Sequence, residues 1–329
     1  MKYDDLRSAA LEIGFCDVGL CALSSFDEQK KQVLTQPKMK ERKHLKFDID
    51  DPKAKSIAVL LWPYKEKKLA TGRELFVDSY YESSNAAYHA AMTLEENLLS
   101  SGVYAKANVP FPAKHAAMQC SMGIIGKNSL LIHPVHGSRV IIILMLTDLE
   151  PLKYDAPSAE GCIGCNKCAK VCPAGAIDDH GMSHPEKCLR NYMMEGEIVP
   201  EHIRPQIRNT LLGCDLCQRV CPMQKHDQSS GSMFTLDDFL GGNGGQFKEG
   251  LRRLADEIGK NAARPQRVRA QLALICGNIG SEKDLPVLRE WAQSEFDAVK
   301  THALWAIEQI ESRSLQSCSM HDTGLDQSP

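Results

Sequence analysis

The sequence has no long apolar segment that indicates a membrane span or a signal peptide. Its longest apolar run, VIIILMLT from Val140 to Thr147, is far shorter than the roughly 18 residues that indicate a transmembrane helix. The opening stretch MKYDDLRSAALEIGF lacks the basic start, apolar middle and small-residue cleavage site of a signal peptide. We therefore expect a cytoplasmic protein without membrane contact, and we expect it to be a monomer.

A strong excess of charge is also missing. The formal net charge is −3 over 329 residues, so there is no global electrostatic reason to expect a nucleic-acid partner. No Gly-x-Gly-x-x-Gly follows a predicted strand, which argues against a nicotinamide or flavin enzyme. With 43% hydrophobic and 25% charged residues, the composition is that of an ordinary globular protein.

Cysteine, by contrast, is abundant, with 13 residues. In a reducing compartment, closely spaced cysteines are more often metal ligands than disulfides. Within GCIGCNKCAKVCP, from Gly161 to Pro173, the spacing of two, two and three residues before Cys-Pro is the bacterial ferredoxin pattern. Zinc sites usually separate cysteine pairs by a long loop, so this density favours a 4Fe-4S cluster. The four predicted ligands are Cys162, Cys165, Cys168 and Cys172.

A second motif, GCDLCQRVCP, repeats the end of the first with Cys214, Cys217 and Cys221. Cys188 is the only cysteine between the motifs and is the natural fourth ligand, which gives the eight that two 4Fe-4S clusters need. In two-cluster ferredoxins the cysteine before proline ligates the other cluster. That rule predicts one set of Cys162, Cys165, Cys168 and Cys221, and another of Cys172, Cys188, Cys214 and Cys217. Two neighbouring clusters imply one-electron delivery, which requires an external electron donor.

The patterns around the cysteines predict an α+β protein. An N-terminal α/β sheet domain is expected over residues 1–152, with a helix at 4–13, a buried strand from Ser56 and a helix from Asn85 to Leu99. SLLIHP and RVIIILMLTDL are predicted to pair as strands around a turn at Gly137. A ferredoxin-like double-cluster domain is expected over residues 153–228.

The C-terminal part, residues 245–312, is predicted to form HEAT-like helical repeats. RVRAQLALICGNIG and AVKTHALWAIEQIE superpose, with Val268 on Val299 and Ala273 on Leu304, and a capped helix starts between them at Ser281. Such helices offer a surface to a macromolecule, and nearby arginines could reach phosphates, although a solvated face is the simpler interpretation. These are Arg252, Arg253, Arg264, Arg267 and Arg269. Residues 313–329 are expected to be a disordered tail.

The order of these parts resembles epoxyqueuosine reductase over nearly the whole length. The specific stretches are GIIGKNSLLIHPVHGS and GCDLCQRVCP, supported by AALEIGFCDVGL and TDLEP. The resemblance implies a cobalamin-binding N-terminal domain, clusters that reduce the cobalt, and deoxygenation of epoxyqueuosine in tRNA to queuosine, with tRNA contacts through the C-terminal repeats. It also implies that Gly126, Lys127, Asn128 and Ser129 contact the cobalamin. The chain has no Asp-x-His-x-x-Gly motif, so no protein histidine is expected as lower cobalt ligand.

The chain departs from the family pattern around the expected substrate pocket. The acidic residue to which the family's proton transfer is attributed falls on Ala107, a nearby glutamate falls on Ala113, and an aspartate falls on Ala87. A proton donor is still needed, and His115 is the best candidate because imidazole titrates near neutrality. The remaining candidates are Tyr88, His89 and Lys114.

Two alternatives stay open. The chain could be a divergent corrinoid iron-sulfur oxidoreductase with another substrate, its pocket remade at the three alanines. It could instead be a non-catalytic electron-transfer or binding protein on the same scaffold, which would bind no cobalamin.

Overall fold

The N-terminal part of the chain is built on a four-stranded antiparallel sheet. The computed structural model describes residues 2–26, 51–155, 162–178, 184–224, 227–229, 234–241 and 245–322. The sheet has the strand order β1-β2-β8-β5, so β8 lies inside it with a neighbour on each side. Its strands are β1 (Asp17–Ala22), β2 (Ser56–Pro63), β5 (Ala105–Ala107) and β8 (Val140–Thr147).

Helices cover both faces of this sheet, because β2 and β8 carry apolar side chains on both sides. Leu60 and Met145 pack on one face with the first two helices, while Val59 and Leu144 pack on the other with the third. These helices are α1 (Tyr3–Ile13), α2 (Ser79–Ser100) and α3 (Ala113–Gln119).

Helix α2 begins six residues before the predicted start at Asn85. Asp78 is its N-cap, and its carboxylate accepts a hydrogen bond from the Tyr80 N–H at 3.0 Å. The helix therefore starts at the first residue after its cap, directly behind strand β4 (Glu74–Val77), and the apolar spacing alone did not indicate this start.

The predicted pairing of SLLIHP with the following strand was wrong. Strand β7 (Leu131–Ile132) pairs with β6 (Ile124–Ile125), while β8 pairs with β2 and β5. Both edges of β8 are thus occupied, which leaves no edge for β7 at that strand. The turn itself is present, because His133 and Gly137 form a bridge and Gly137 has a φ of 61°.

A smaller sheet joins this part of the chain to the cysteine-rich and C-terminal parts. Strand β4 pairs in parallel with β9 (Thr210–Leu212) and antiparallel with β11 (Phe234–Thr235). A two-stranded parallel ladder joins β3 (Glu66–Lys67) to β10 (Gln228–Ser229). The helices of the cysteine-rich part are short: α4 (Lys167–Val171), α5 (Leu189–Glu195), α6 (Arg204–Ile207) and α7 (Leu216–Arg219).

The C-terminal part is helical, as predicted. It consists of α8 (Asp237–Leu240), α9 (Gly245–Ile258), α10 (Pro265–Ile279), α11 (Leu285–Trp291) and α12 (Asp297–Asp322). Ser281 precedes α11 with a capping box formed with Asp284. Val268 and Val299 are both buried, but Ala273 is buried while its superposed partner Leu304 is 46% exposed. The assignment to HEAT-like repeats therefore remains a prediction.

Helix α12 extends into the segment predicted to be a disordered tail. It runs through Asp322, and the Arg313 guanidinium donates hydrogen bonds to the carbonyls of Gly277 and Gly280 at 2.6 and 3.0 Å. These bonds satisfy carbonyls at the C-terminal end of α10 and hold the added turns of α12 against it. Residues 323–329 of the predicted tail lie outside the described residues.

One apolar core crosses the predicted domain boundaries at 152/153 and 228/245. It contains Leu75 and Val77 from β4, Met193 from α5, and Leu272 and Ile310 from the C-terminal helices. The boundaries themselves remain predictions. None of the helices in the described part of the chain is long and apolar enough to cross a membrane.

A buried histidine connects the C-terminal helices to the cysteine-rich part. His302 of α12 lies with Nδ1 3.1 Å from the Ala270 carbonyl, and its Nε2 accepts the Val199 N–H at 3.0 Å. This pair of contacts requires a neutral ring with its proton on Nδ1. Burial, opposed by the hydrogen bond to Ala270, lowers the pKa of His302 from 6.5 to about 4.

His302 is expected to make stability depend on pH. At pH values between about 4 and 6.5, His302 is protonated in the unfolded chain and neutral in the native chain. Its contribution to the free energy of unfolding is therefore fully present above pH 6.5 and is lost as the pH falls towards 4. The loss should approach about 3 kcal/mol. We expect His302→Gln to remove this part of the pH dependence in unfolding measured between pH 7 and pH 4.5. Identical pH slopes for both proteins would contradict it.

Candidate functional site

Four of the eight predicted cluster ligands surround one surface hollow. Cys162 and Cys165 lie in the loop before α4, Cys168 lies in α4, and Cys221 follows α7. All four line the same hollow, so the structure places Cys221 with the first three cysteines of the other motif. This is the grouping that the ferredoxin rule predicted, while iron ligation by these residues stays a prediction.

The other four cysteines gather deeper in the molecule. Cys188 is the N-cap of α5, and Cys214 and Cys217 flank the start of α7. Burial, followed by the nearby Cys188, raises the pKa of the Cys214 thiol to about 12. Burial also raises the pKa of Cys217, with Cys214, Cys188 and Cys172 all close enough to add to the effect. Buried thiols of this kind ionise when they bind a metal, because the cation compensates the thiolate charge.

The described residues contain no group of three Cys, His, Asp or Glu arranged to hold a single metal ion. The donor chemistry of the two groups is nevertheless that of iron-sulfur proteins, with four thiols in each and spacing that matches the ferredoxin motif.

The predicted cofactor-binding turn, residues 126–129, lies between the two cysteine groups. Gly126, Lys127 and Asn128 line the hollow of the first group, and the Asn128 amide hydrogen-bonds the Cys217 thiol of the second. The Ser129 carbonyl accepts a hydrogen bond from Lys114. Gly126 packs closely against this turn, since a side chain there would lie 2.8 Å from Ile132 Cδ1 and 2.9 Å from Asn128 Oδ1. Hydrogen bonds to cluster sulfurs shift reduction potentials, so this turn is placed where it would influence the reduction potential of a cluster bound at either cysteine group.

A buried ion-pair network, which we call the arginine clasp, fixes the second motif to the N-terminal sheet. Arg139, 1% exposed at the start of β8, lies 2.8 Å from Glu66 and 3.3 Å from Asp215. Arg219 of α7 pairs with the same two carboxylates, with 2.7 Å to Asp215. The clasp therefore fixes the position of Asp215, which lies between Cys214 and Cys217 in the sequence. The sequence analysis missed it, and its only local signal is the Asp215/Arg219 pair at i, i+4.

The N-terminus of α2 packs directly against the second cysteine group. A side chain at Gly213 would lie 2.5 Å from the Asp78 Cβ and 2.9 Å from the Tyr81 ring, so this approach also requires glycine. Asp78 is buried, and burial together with the charge of Asp215 raises the pKa of its carboxyl to about 6. The start of helix α2 therefore contacts Gly213, the residue immediately before the predicted cluster ligand Cys214.

An open cavity of about 670 Å³ lies along this end of α2. Its walls come from α2, α5 and the segment after α9, and they include Tyr88 and Arg190. The Arg190 guanidinium stacks 4.6 Å from the Tyr80 ring centroid and 5.6 Å from that of Tyr81. Arg190 forms no ion pair with any residue that the structure describes. The buried Tyr81 hydroxyl lies at the same cavity wall, next to the Arg190 guanidinium.

A second cation lies near Arg190. Desolvation, and then the positive charge of Arg190, lower the pKa of Lys114 on α3. The charge of Cys217 opposes this shift, which places Lys114 between Arg190 and the second cysteine group. The region between the cavity and these cysteines is therefore electropositive.

The candidate proton donors divide between two places. Tyr88 and His89 line the cavity, with their rings 5.4 Å apart. His115, the first-choice candidate, lies on α3 with Nε2 3.4 Å from the Gln119 amide, and it is not among the residues that line the cavity. Its catalytic role is not tested by this placement.

The three alanines at departures from the family pattern have different surroundings. Ala87 is completely buried in the core beneath α2. Ala107 ends β5, and its N–H donates to the Glu95 carboxylate at 2.8 Å. Ala113 is the first residue of α3. A carboxylate is therefore present beside Ala107, but it comes from α2.

Comparison with known proteins places this site in context. The profile of a 4Fe-4S double cluster binding domain matches residues 161–224. An epoxyqueuosine reductase of Lactococcus garvieae is 27% identical over 212 residues, which cover 60% of this chain and 58% of the relative. One from Listeria monocytogenes is 38% identical over 112 residues, covering 34% of this chain and 29% of the relative. In these alignments the chain spans less than two thirds of the curated relatives.

Solved structures extend the likeness over the whole fold. An epoxyqueuosine reductase crystallised with an epoxyqueuosine-modified stem loop of tRNA-Tyr superposes with a TM-score of 0.77 at 22% identity, covering 99% of this chain and 94% of that one. The enzyme from Streptococcus thermophilus superposes with a TM-score of 0.74 at 20% identity, covering 100% and 96%. The resemblance drawn from the motifs is thus confirmed, and the chain shares this mixed α/β fold.

Paired cysteine variants can test the crossed grouping. Cys165→Ala/Cys221→Ala removes two predicted ligands of one cluster, so the protein should keep about half of its iron and sulfide. Cys165→Ala/Cys172→Ala damages both groups and should lose nearly all of it. Iron and acid-labile sulfide are measured on anaerobically purified protein, with Cys276→Ala, a buried cysteine of α10, as the control. Equal losses in the two double variants would contradict the crossed grouping.

Proposed function

We propose that this relative of the epoxyqueuosine reductases is an iron-sulfur oxidoreductase that passes single electrons through two clusters to a corrinoid and acts on a modified nucleoside in tRNA. The observation that carries the proposal is the order of three features: a cysteine group that includes the exposed Cys165, a second, partly buried cysteine group, and a cavity beside the second group whose wall includes Arg190. An electron path of this form requires an acceptor at its inner end.

The two cysteine groups define the direction of that path. Cys165 is exposed, whereas Cys214 and Cys217 are desolvated enough to shift their pKa values. The buried group adjoins the cavity through Cys188, two residues before Arg190, and through Gly213 packed on Tyr81. We infer that electrons enter at the exposed group and leave towards α2.

The cavity is suited to a large polar cofactor. Its volume of about 670 Å³ lies within the usual range for ligand sites, and it opens to the surface. The Arg190 guanidinium, which forms no ion pair with a residue in the described ranges, is a group that an anionic part of a ligand would satisfy. When bound, a corrinoid supplies the low-potential centre for reductive removal of oxygen. Arg190, Tyr81 and Asn85 are the residues that would hold it or its substrate.

The chain's own residues contribute orientation and charge. Stacking on Tyr80 and Tyr81 restricts the Arg190 guanidinium, which then costs less entropy to place against a phosphate or another oxyanion. Tyr88 is 46% exposed and offers its ring for stacking on a base. We infer that a tRNA phosphate lies at Arg190 and that a nucleoside base packs on Tyr88.

Proton delivery is assigned to the cavity wall. Tyr88 and His89 are the titratable candidates that line it, and we prefer them to His115 because a general acid must come within hydrogen-bond reach of the departing oxygen. Imidazole is suited to this role near neutral pH.

Three of the five C-terminal arginines that the sequence suggested as tRNA contacts already have carboxylate or backbone-carbonyl partners within the protein. Arg252 and Arg253 pair with carboxylates of Asp256 and Asp238 at 2.9 and 2.7 Å. Arg267 donates to the carbonyls of Asn261 and Ala262, so it supports the cavity wall. These engaged side chains favour Arg190 over the helices as the main phosphate contact.

A second candidate is a related corrinoid iron-sulfur oxidoreductase with another, anionic substrate. The observation that favours it is the pair of cations beside the cavity, where Arg190 lines the wall and lies close enough to Lys114 to lower its pKa. The cysteine groups would have the same role in both proposals, so only the substrate distinguishes them.

The proposal is tested with anaerobically purified protein reconstituted with iron and sulfide. Mixed with cob(II)alamin, it should convert the electron paramagnetic resonance signal to the base-off form. Under a strong reductant it should remove one oxygen atom from an epoxyqueuosine-containing tRNA stem loop, as read by mass spectrometry. A base-off signal with unchanged RNA would favour the second candidate. An unchanged cobalt signal, with both clusters reducible, would leave an electron carrier and overturn both.

Arg190→Gln should weaken binding of the stem loop by about tenfold, because one charge-assisted phosphate contact is lost. The iron content should not change. Arg253→Gln, which removes an exposed arginine of α9 already paired with Asp238, is the matched control and should bind like the wild type. Binding is measured by fluorescence anisotropy of labelled RNA. Equal affinities for all three proteins would exclude Arg190 as a phosphate contact.

A further inference from the structure

The surface around the first cysteine group has an apolar centre. Ile163 is 68% exposed between Cys162 and Gly164, and Met223 is 37% exposed beside Cys221. Val135, which is 52% exposed, lies in the turn that ends at Gly137. A side chain placed on Gly137 would lie 2.9 Å from the Met223 carbonyl, so this turn packs next to Met223. We call these three residues, with Lys167 and Lys170, the Ile163 face.

Such a cluster of large exposed apolar side chains is unusual for a surface that contacts only water. Isolated exposed apolar residues are normal, whereas a contiguous group bordered by polar residues marks an interaction site. Here Ile163 and Met223 line the same hollow as the four cysteines. An interaction at this face would therefore bring a partner next to the predicted first cluster.

Among the residues that the structure describes, the charged side chains at the Ile163 face and in the adjoining hollow are lysines. The residues that line the hollow include Lys127 and Lys167 and no aspartate or glutamate. Lys167 and Lys170 are exposed, and neither forms an ion pair with a residue in the described ranges. On the C-terminal helices, by contrast, Arg252 and Arg289 lie within 3.3 Å of a carboxylate. Within the described ranges, Lys167 and Lys170 therefore have no counter-ion, which favours a negatively charged partner.

The partner must also bring electrons. The hollow contains Cys165, the one exposed cysteine among the eight predicted ligands, whereas the cysteines of the second group are only partly accessible. A protein that docks over Cys165 and Ile163 would lie next to the hollow lined by the four predicted ligands of the first cluster.

We propose that the Ile163 face is the docking surface for a small acidic electron-carrier protein of the ferredoxin class. Its acidic rim would face Lys167 and Lys170, and its apolar centre would cover Ile163, Val135 and Met223. In each encounter the reduced carrier loses one electron and the first cluster gains it, with no bond formed or broken. The inference rests on the proposed function for the direction of electron flow.

The test measures binding, which does not depend on turnover. An acidic 2Fe-2S ferredoxin is titrated into the anaerobic, cluster-loaded protein by isothermal calorimetry at low and high salt. Lys167→Glu/Lys170→Glu should weaken binding at least tenfold at low salt, and the wild-type affinity should fall steeply as salt screens the charges. Lys248→Glu/Lys300→Glu, which changes two exposed lysines of α9 and α12 and alters the net charge equally, is the control and should bind like the wild type.

A separate variant tests the apolar centre. Ile163→Ser should weaken binding several-fold while leaving the salt dependence unchanged, because it removes buried contact area and no charge. Since this side chain is mostly exposed in the free protein, folding should not suffer.

The outcomes separate the docking proposal from the proposed function. Equal affinity of the two lysine double variants, or affinity independent of salt, overturns docking at this face, as does the absence of ferredoxin binding to the wild type. The small reductant dithionite reaches the clusters without docking. A wild-type protein that takes no electrons from dithionite would instead count against the electron path itself, whatever the ferredoxin result.

Discussion

The arginine clasp is the interaction on which the arrangement of the site depends. Two guanidinium groups and two carboxylates, from β3, β8 and α7, are enclosed where the sheet meets the second cysteine motif. Within such a network each charge compensates the others, and removal of one member would leave an uncompensated buried charge at a cost of about 3 to 5 kcal/mol. Asp215 belongs both to the clasp and to the loop between Cys214 and Cys217. The position of the inner cysteine group is therefore coupled to the N-terminal sheet.

The same region explains how one chain supports an electron path and a substrate cavity. The turn at residues 126–129 lies between the two cysteine groups, and the beginning of α2 lies against the inner one. The approach of α2 depends on glycine at Gly213, which has a φ of 86° and where a side chain would lie 2.5 Å from the Asp78 Cβ. The cavity wall is thereby brought next to the inner group without an intervening layer of protein.

The two ends of the proposed electron path differ in their charged side chains. At the outer end, lysines surround apolar side chains on an open surface, which suits transient contact with an acidic protein. At the inner end, Arg190 is fixed between aromatic rings and faces a cavity without a carboxylate partner among the residues of the described ranges. Such an ordered cation is suited to a bound oxyanion. The departures at Ala87, Ala107 and Ala113 lie outside the cavity lining, while all eight predicted cluster ligands are present.

The sequence by itself determined the helical C-terminal part and the resemblance to epoxyqueuosine reductases, because these depend on local spacing and motifs. It also identified the eight candidate cysteines and predicted their crossed grouping. Only the tertiary structure decided that β7 pairs with β6, since the edges of β8 are already occupied. It also revealed the clasp, because Glu66, Arg139 and Asp215 are far apart in the chain and no local pattern connects them. Arg190 likewise gains its significance from Tyr80 and Tyr81, about 110 residues earlier in the chain. Local periodicity specifies elements and motifs, whereas the meeting of distant charges is decided by packing.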